Sequence, residues 1–248
     1  MRNKKGTIII VGASSGLGRE IAKIYAECGW KVGVCARREE RLKELCDIFP
    51  QNMSYRQLDV TDPQSDTDFE KFVENMGGMD IFLYAAGCGW NNPSLQKDFD
   101  ERTVDVNVVG FTRIVNAAFK WFGKNNPAGQ LCAITSIAGT KGIGISATYS
   151  ASKRYENTYL ESLAQLARHD GLRIQITDIR PGFIDTDLLE TKSHHYPMLM
   201  TPRYASRRIV KAIMKRKAVA YIDWRWRLVV WGWKLIPRWL WIRLKLKI

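Results

Sequence analysis

Tyr149 is followed four residues later by Lys153, and Ser136 stands thirteen residues before the tyrosine at the end of an apolar run. In Tyr149-Ser150-Ala151-Ser152-Lys153 a helical i, i+4 spacing puts phenol and ammonium on one face, with Cβ atoms about 5–6 Å apart. A free tyrosine titrates near pH ~10 and is a poor acid or base at neutral pH, so a fixed cation that favours the phenolate would make it useful for proton transfer. Ser136 would then hydrogen-bond the oxygen being protonated. Any Tyr and Lys sharing a surface helix face have the same spacing, so the surroundings of the pair decide between the two readings.

The elements that must position these residues follow from the hydrophobic pattern. Short β-rich runs lie at Thr7 to Val11, Lys31 to Cys35, Met53 to Leu58, Asp80 to Ala85, Gln130 to Thr135, Arg173 to Ile179 and Ala218 to Ile222. Amphipathic stretches of helix length separate them, among them Leu17 to Cys28 and Tyr149 to His169. Repeated βα alternation predicts an α/β domain with a parallel sheet of about seven strands and helices on both faces. Ligands in such folds bind beyond the carboxyl ends of the strands. There the first strand runs into Gly12-Ala13-Ser14-Ser15-Gly16-Leu17-Gly18 and then a helix. Glycines in that place let the backbone turn tightly beside a pyrophosphate, whose charge is stabilised by the free N–H groups of the helix N-terminus. The spacing is GxxxGxG.

Up to about residue 190 the chain resembles a short-chain dehydrogenase/reductase of the shorter, roughly 250-residue type. The resemblance rests on ordered motifs: Gly12, Gly16 and Gly18; Asp59-Val60 after the third strand; Ala85-Ala86-Gly87 after the fourth; Asn107 in Val106-Asn107-Val108-Val109-Gly110; Ser136; Tyr149 and Lys153; and Pro181-Gly182 with Thr186 after the sixth strand. It implies a Rossmann-like doubly wound sheet and a nicotinamide-dependent oxidoreductase that interconverts a carbonyl and a secondary alcohol. It also implies a catalytic set of Asn107, Ser136, Tyr149 and Lys153. In that set Tyr149 is the general acid/base and Ser136 orients the carbonyl. Lys153 lowers the tyrosine pKa and holds the nicotinamide ribose, and Asn107 anchors a water. Asp59 and Val60 are expected around the adenine, and Ala86 and Gly87 beside the ribose. The fourth-strand motif usually begins with Asn, and this chain has Tyr84 there.

Charge after the second strand bears on which nicotinamide cofactor binds. A carboxylate there would bind the ribose 2′-OH of NAD, whereas arginine favours a 2′-phosphate. The place where NAD-dependent members carry Asp is Ala36, followed by Arg37 and Arg38. NADP(H) is therefore expected, with Ser14 and Ser15 in reach of the phosphate. Residues 183–203 follow Pro181-Gly182 and read as a substrate lid, rich in apolar and flexible side chains such as Met198, Leu199 and Met200. The adjacent His194 and His195, without further ligands, do not make a metal site.

At 248 residues and 46% hydrophobic content the chain can bury a large core as one domain. Its five cysteines show no CxxC spacing and read as reduced cytoplasmic thiols. The net charge of +13 is unevenly placed, since residues 1–190 carry 23 basic and 24 acidic side chains and residues 191–248 carry 15 and one. The segment 224–248 holds six of the nine tryptophans, seven basic residues and no acidic one. Lys234, Arg238 and Arg243 interrupt it too often for a bilayer span, and Pro237 starts a second helix or kinks the first. Such a tail suits a helix lying in an anionic membrane interface, at the inner face of the membrane. It also resembles the tails of family members that act on lipid-linked sugars or acyl substrates, which implies a lipid-like or lipid-linked substrate. A subunit interface in a homo-oligomer (dimer or tetramer) or support for the lid are the competing uses. Nucleic acid is disfavoured because no reading module accompanies the basic residues. The alternative to an enzyme is a non-catalytic NADP(H)-binding protein whose tail is the interaction module. The domain boundary expected from composition is 1–223 for the reductase domain and 224–248 for the tail.

Overall fold

The computed structural model describes residues 5–189 and 196–244. Seven parallel strands form one sheet in the order β3-β2-β1-β4-β5-β6-β7. They are β1 (Thr7–Val11), β2 (Lys31–Ala36), β3 (Met53–Gln57), β4 (Ile81–Tyr84), β5 (Gln130–Ile134), β6 (Gln175–Pro181) and β7 (Val219–Ile222). Each strand agrees with the sequence pattern to within one or two residues. Ile8, Ile9 and Ile10 are fully buried because helices cover both faces, so the strand reads as a continuous apolar run and not as an alternation. The register sets Ile9 against Gly33 on one side and Phe82 on the other.

One face is covered by α1 (Gly16–Glu27), α2 (Glu39–Ile48), α7 (Pro202–Met214) and α8 (Trp224–Leu235), and the other by α3 (Ser65–Asn75), α5 (Phe111–Asn125) and α6 (Ala147–His169). The strand order reverses between β1 and β4, which opens a crevice at their carboxyl ends. α4 (Lys97–Val104) joins α5 through a π-helical turn, Asp105–Gly110, and short α9 (Arg238–Trp241) follows Pro237. Among the described residues no helix is long and apolar enough to cross a membrane.

α8 explains how the tail sits. Its sequence is apolar nearly all the way round, so composition alone gives it no inner face. In the fold Trp226 and Val230 are buried against the core, while Trp224, Leu228, Trp231 and Leu235 are exposed. Those four stand at i, i+4, i+7 and i+11, one stripe of a helix. Asp223 begins the helix: its carboxylate accepts from the Arg225 amide at 3.0 Å and pairs with the Arg225 guanidinium at 2.6 Å.

Candidate active site

The crevice between β1 and β4 is shaped by backbone. Gly12 has φ +95°, which a side chain rarely tolerates, and a Cβ there would run into the backbone of Ala85 and Ala86. Its amide donates to the Cys35 carbonyl at 2.8 Å, fixing the turn to β2. Ser15 stands at the N-cap of α1 without a side-chain cap bond, and the first turn of α1 holds no acidic residue. The amides of this turn therefore suit an anion. Gly18 brings α1 against the carbonyl of Gly12, Leu17 packs on the core, and Gly16 at φ +54° lies beside the side chain of Thr186.

Arg38 completes this end of the crevice. Its guanidinium donates to Ser14 Oγ at 3.0 Å and Ser15 Oγ at 2.7 Å, bridging the end of β2 to the glycine turn. Arg37, expected from its position to face the same place, is exposed like Arg38 but makes no bond to the glycine turn, and its carbonyl accepts from Gln57. Arg38 occupies the N-cap of α2, so the chain turns there and carries its side chain back over the turn. Partial burial, then repulsion from Arg41, lowers the Arg38 pKa, so an added anion would relieve the crowded cations. Asp59 accepts from the amide and hydroxyl of Thr61 at 3.0 and 2.8 Å, and Val60 packs against Gly110 of the π turn.

The π turn aims Asn107. This fully buried side chain accepts from the Cys88 amide at 3.0 Å and donates to the Cys88 carbonyl at 2.7 Å and to Ser152 Oγ at 3.0 Å. Single π turns inside helices recur at functional sites because the extra residue redirects side chains. Tyr84 holds this one: buried edge-on against Phe111, it donates to the Val106 carbonyl at 3.2 Å. The residue that departs from the family motif thus braces the Asn107 segment. Gly87 lies against Lys153 Nζ and Asn107 Oδ1.

Ser136 caps a short 3₁₀ turn by accepting from Ala138 N at 3.0 Å. Half-buried Tyr149 packs its ring on Gly89, and Lys153 Nζ lies 5.7 Å from the ring centroid. The sequence led to the expectation of a tyrosine pKa below its ordinary value. The structure places it above, because burial outweighs the lowering by Lys153 and by a hydrogen bond with Ser136, and Glu156 and Cys88 raise it further.

Glu156 was missed from the sequence. One turn beyond Lys153 on α6, it takes Nζ on both carboxyl oxygens at 2.9 Å, with side-chain exposures of 4% for the lysine and 1% for the glutamate. Burial pushes the Glu156 carboxyl up to about 7 despite Lys153. Burial lowers the Lys153 pKa, and Glu156 together with Tyr149 and Cys88 more than restores it, leaving it above its ordinary value. The i, i+3 spacing was legible in the sequence; that both groups would be inside was not.

Beyond Pro181 the tail enters the site. A Cβ on Gly182 would overlap the Trp226 indole, and Phe183 lies 5.5 Å from Trp226 and 4.9 Å from Tyr196. Residues 183–185 pair with Met200: Met200 N donates to Phe183 O at 3.0 Å and Asp185 N to Met200 O at 2.9 Å. His194 and His195 lie outside the described residues.

The sequence model described as short chain dehydrogenase matches residues 6–197. An uncharacterized oxidoreductase of Myxococcus xanthus is 30% identical over 88% of this chain and 88% of its own length. One of Listeria monocytogenes is 32% identical over 77% of this chain and 79% of its own. A short chain dehydrogenase from Burkholderia cenocepacia, in complex with NADP, superposes with TM-score 0.83 and 20% identity over the full length of both chains. ElxO with NADP bound superposes with TM-score 0.79 and 22% identity, over 90% of this chain and 99% of that one.

Proposed function

Since this chain belongs to the short chain dehydrogenase family, we propose that it is an NADP(H)-dependent oxidoreductase acting on a carbonyl or secondary alcohol, with Tyr149 as its proton donor. The observation that supports this most is the buried cluster at the switch point: Asn107 tied to Cys88 and Ser152, and Lys153 beneath the Tyr149 ring. The crevice suits the cofactor, because Gly12 leaves no room for a side chain, the first turn of α1 faces it with amides, and Arg38 reaches over Ser14 and Ser15. Those residues would hold the pyrophosphate and a 2′-phosphate, and Lys153 the nicotinamide ribose. When bound, the nicotinamide supplies or accepts the hydride.

The chain's own part is proton transfer and orientation. Ser136 holds the carbonyl oxygen through its hydroxyl, and Tyr149 delivers its phenolic proton to that oxygen as negative charge develops. Lys153 stabilises the phenolate left behind. Asn107 anchors the water through which the proton is replaced. Removing a general acid costs a factor of about 10² to 10⁴. Tyr149→Phe should therefore lower kcat for NADPH oxidation by that factor across a panel of carbonyl substrates while cofactor binding persists. Undiminished turnover in the variant sinks Tyr149 as the acid, whereas wild-type protein that binds NADPH but reduces no carbonyl would leave the non-catalytic reading.

The finer reading places the enzyme in the cytoplasm against an anionic membrane face, acting on a lipid-like or lipid-linked substrate, and assembled as a homo-oligomer. Supporting it are the exposed stripe Trp224, Leu228, Trp231 and Leu235 and the exposed Trp239 and Ile242 beyond Pro237. Supporting it further is a cavity of about 360 Å³ beside α8 lined by Lys141, Arg154, Arg180 and Lys234 with one acid, Glu161. Aromatic and aliphatic side chains flanked by cations favour the lipid–water boundary.

A further inference from the structure

A buried carboxylate gripping a lysine is costly to keep, and proton transfer from Tyr149 to a carbonyl does not use it. Two charges out of water lose several kcal/mol of hydration each unless geometry is good, and one carrying both hydrogen bonds to a single ammonium meets that condition. Lys153 has three N–H donors, and two go to Glu156 at 2.9 Å. One remains for a ligand hydroxyl. The charge on Lys153 is what would draw Tyr149 toward phenolate, and a carboxylate fixed on that ammonium offsets it.

Building on the reading of Tyr149 as proton donor, we propose that Glu156 is a positioning residue: it fixes Lys153 on α6 and offsets its field at Tyr149, adding to the effect of burial in keeping the phenol protonated above neutrality and biasing the site toward carbonyl reduction. The other groups facing this spot do not supply that negative charge. Asp178 of β6 is neutralised by Arg180 at 2.6 Å and also accepts from Thr135. Tyr84 of β4 is fully buried, with its hydroxyl on the Val106 carbonyl. Cys88, after β4, has its thiol pushed up to about 11 by burial, so it is neutral through the neutral range and adds to the rise of Tyr149 only once it ionises. From α6 itself the facing groups are Lys153 and Tyr149. Glu156 titrates near neutrality, so the offset is complete where Tyr149 begins to lose its proton.

Tyr149 and Lys153 titrate as a coupled pair, so the readout must be specific to the tyrosine. The tyrosinate absorbance of the cofactor-free protein, less that of its Tyr149→Phe counterpart, isolates Tyr149 without any turnover. Glu156→Gln, which keeps shape and removes charge, should move that midpoint down by about one pH unit, the scale expected for one nearby buried charge. The alkaline limb of NADPH-dependent carbonyl reduction should fall at correspondingly lower pH. Glu156→Asp, which keeps the charge, should stay on the wild-type side. If Glu156→Gln does not fold, uncharged Glu156→Met carries the same expectation. An unchanged or raised Tyr149 midpoint in a folded, uncharged variant overturns the proposal. Should the midpoint move as expected while Tyr149→Phe remains fully active, the role of Tyr149 falls and the electrostatic role of Glu156 stands.

Discussion

Arg38 and Glu156 set the charge at the two ends of one crevice. Arg38 bonds to Ser14 and Ser15 and is the residue proposed to hold a 2′-phosphate. Hydrogen bonds to charged groups are worth about 1.5–3 kcal/mol, or roughly 10- to 100-fold in affinity. Arg38→Glu should therefore raise KM for NADPH by that factor and leave KM for NADH much less affected, whereas Arg37→Ala should change either by less than about threefold. Steady-state kinetics with both cofactors checks this, and a larger effect at Arg37 would return the assignment to it. The sequence pointed first to Arg37, next to Ala36, with Arg38 beside it; the choice depends on where the N-cap of α2 falls. Glu156 escaped notice for a related reason: a Lys–Glu pair at i, i+3 is commonplace on exposed helices. Only the packing of α6 against β6 and the short turn Ile137–Thr140 makes this one internal.

At the level of elements, the close approach of α8 to the end of β6 governs the site's outer wall. Gly182 has room for hydrogen alone because the Trp226 indole fills the space a Cβ would take, and Trp226 itself is 2% exposed. Overpacking of this kind costs about 1–3 kcal/mol. Gly182→Ala should lower stability by that amount in urea unfolding, and the loss should shrink when Trp226 is replaced by Leu, since the two side chains then no longer compete. Additive losses would show that the strain lies elsewhere. The Pro181-Gly182 motif was readable, and so were the strand ends to within a residue or two, since β-branched runs bounded by turns leave little freedom. The π turn under Asn107 was not readable, because one extra residue per turn leaves no mark on hydrophobic period; the bond from Tyr84 to Val106 that braces it spans 22 residues.

Across the whole molecule, charge and exposed apolar surface coincide at the C-terminal quarter. Each basic residue near an anionic membrane contributes about 1 kcal/mol, screened within a Debye length of roughly 8 Å at physiological ionic strength. Protein carrying Trp231→Ser and Leu235→Ser, both exposed, should keep wild-type stability to within about 0.5 kcal/mol and lose co-sedimentation with phosphatidylglycerol vesicles. Wild-type sedimentation should weaken on raising salt to about 0.5 M. Unchanged sedimentation of the variant removes the membrane reading. Deleting 224–248 would be a poorer test, since Trp226, Val230 and Trp241 are buried in the fold. The sequence by itself determined the alternating α/β order, the glycine turn, the spacing of Tyr149 and Lys153 and the basic, tryptophan-rich composition of the tail, because these depend on local period and residue type. Tertiary structure alone decided which arginine faces the glycine turn, that Glu156 is locked on Lys153 in the interior, and which side of α8 is core and which is surface. Each of those depends on what packs against a side chain from far along the chain, and burial, unlike spacing, belongs to the assembled molecule.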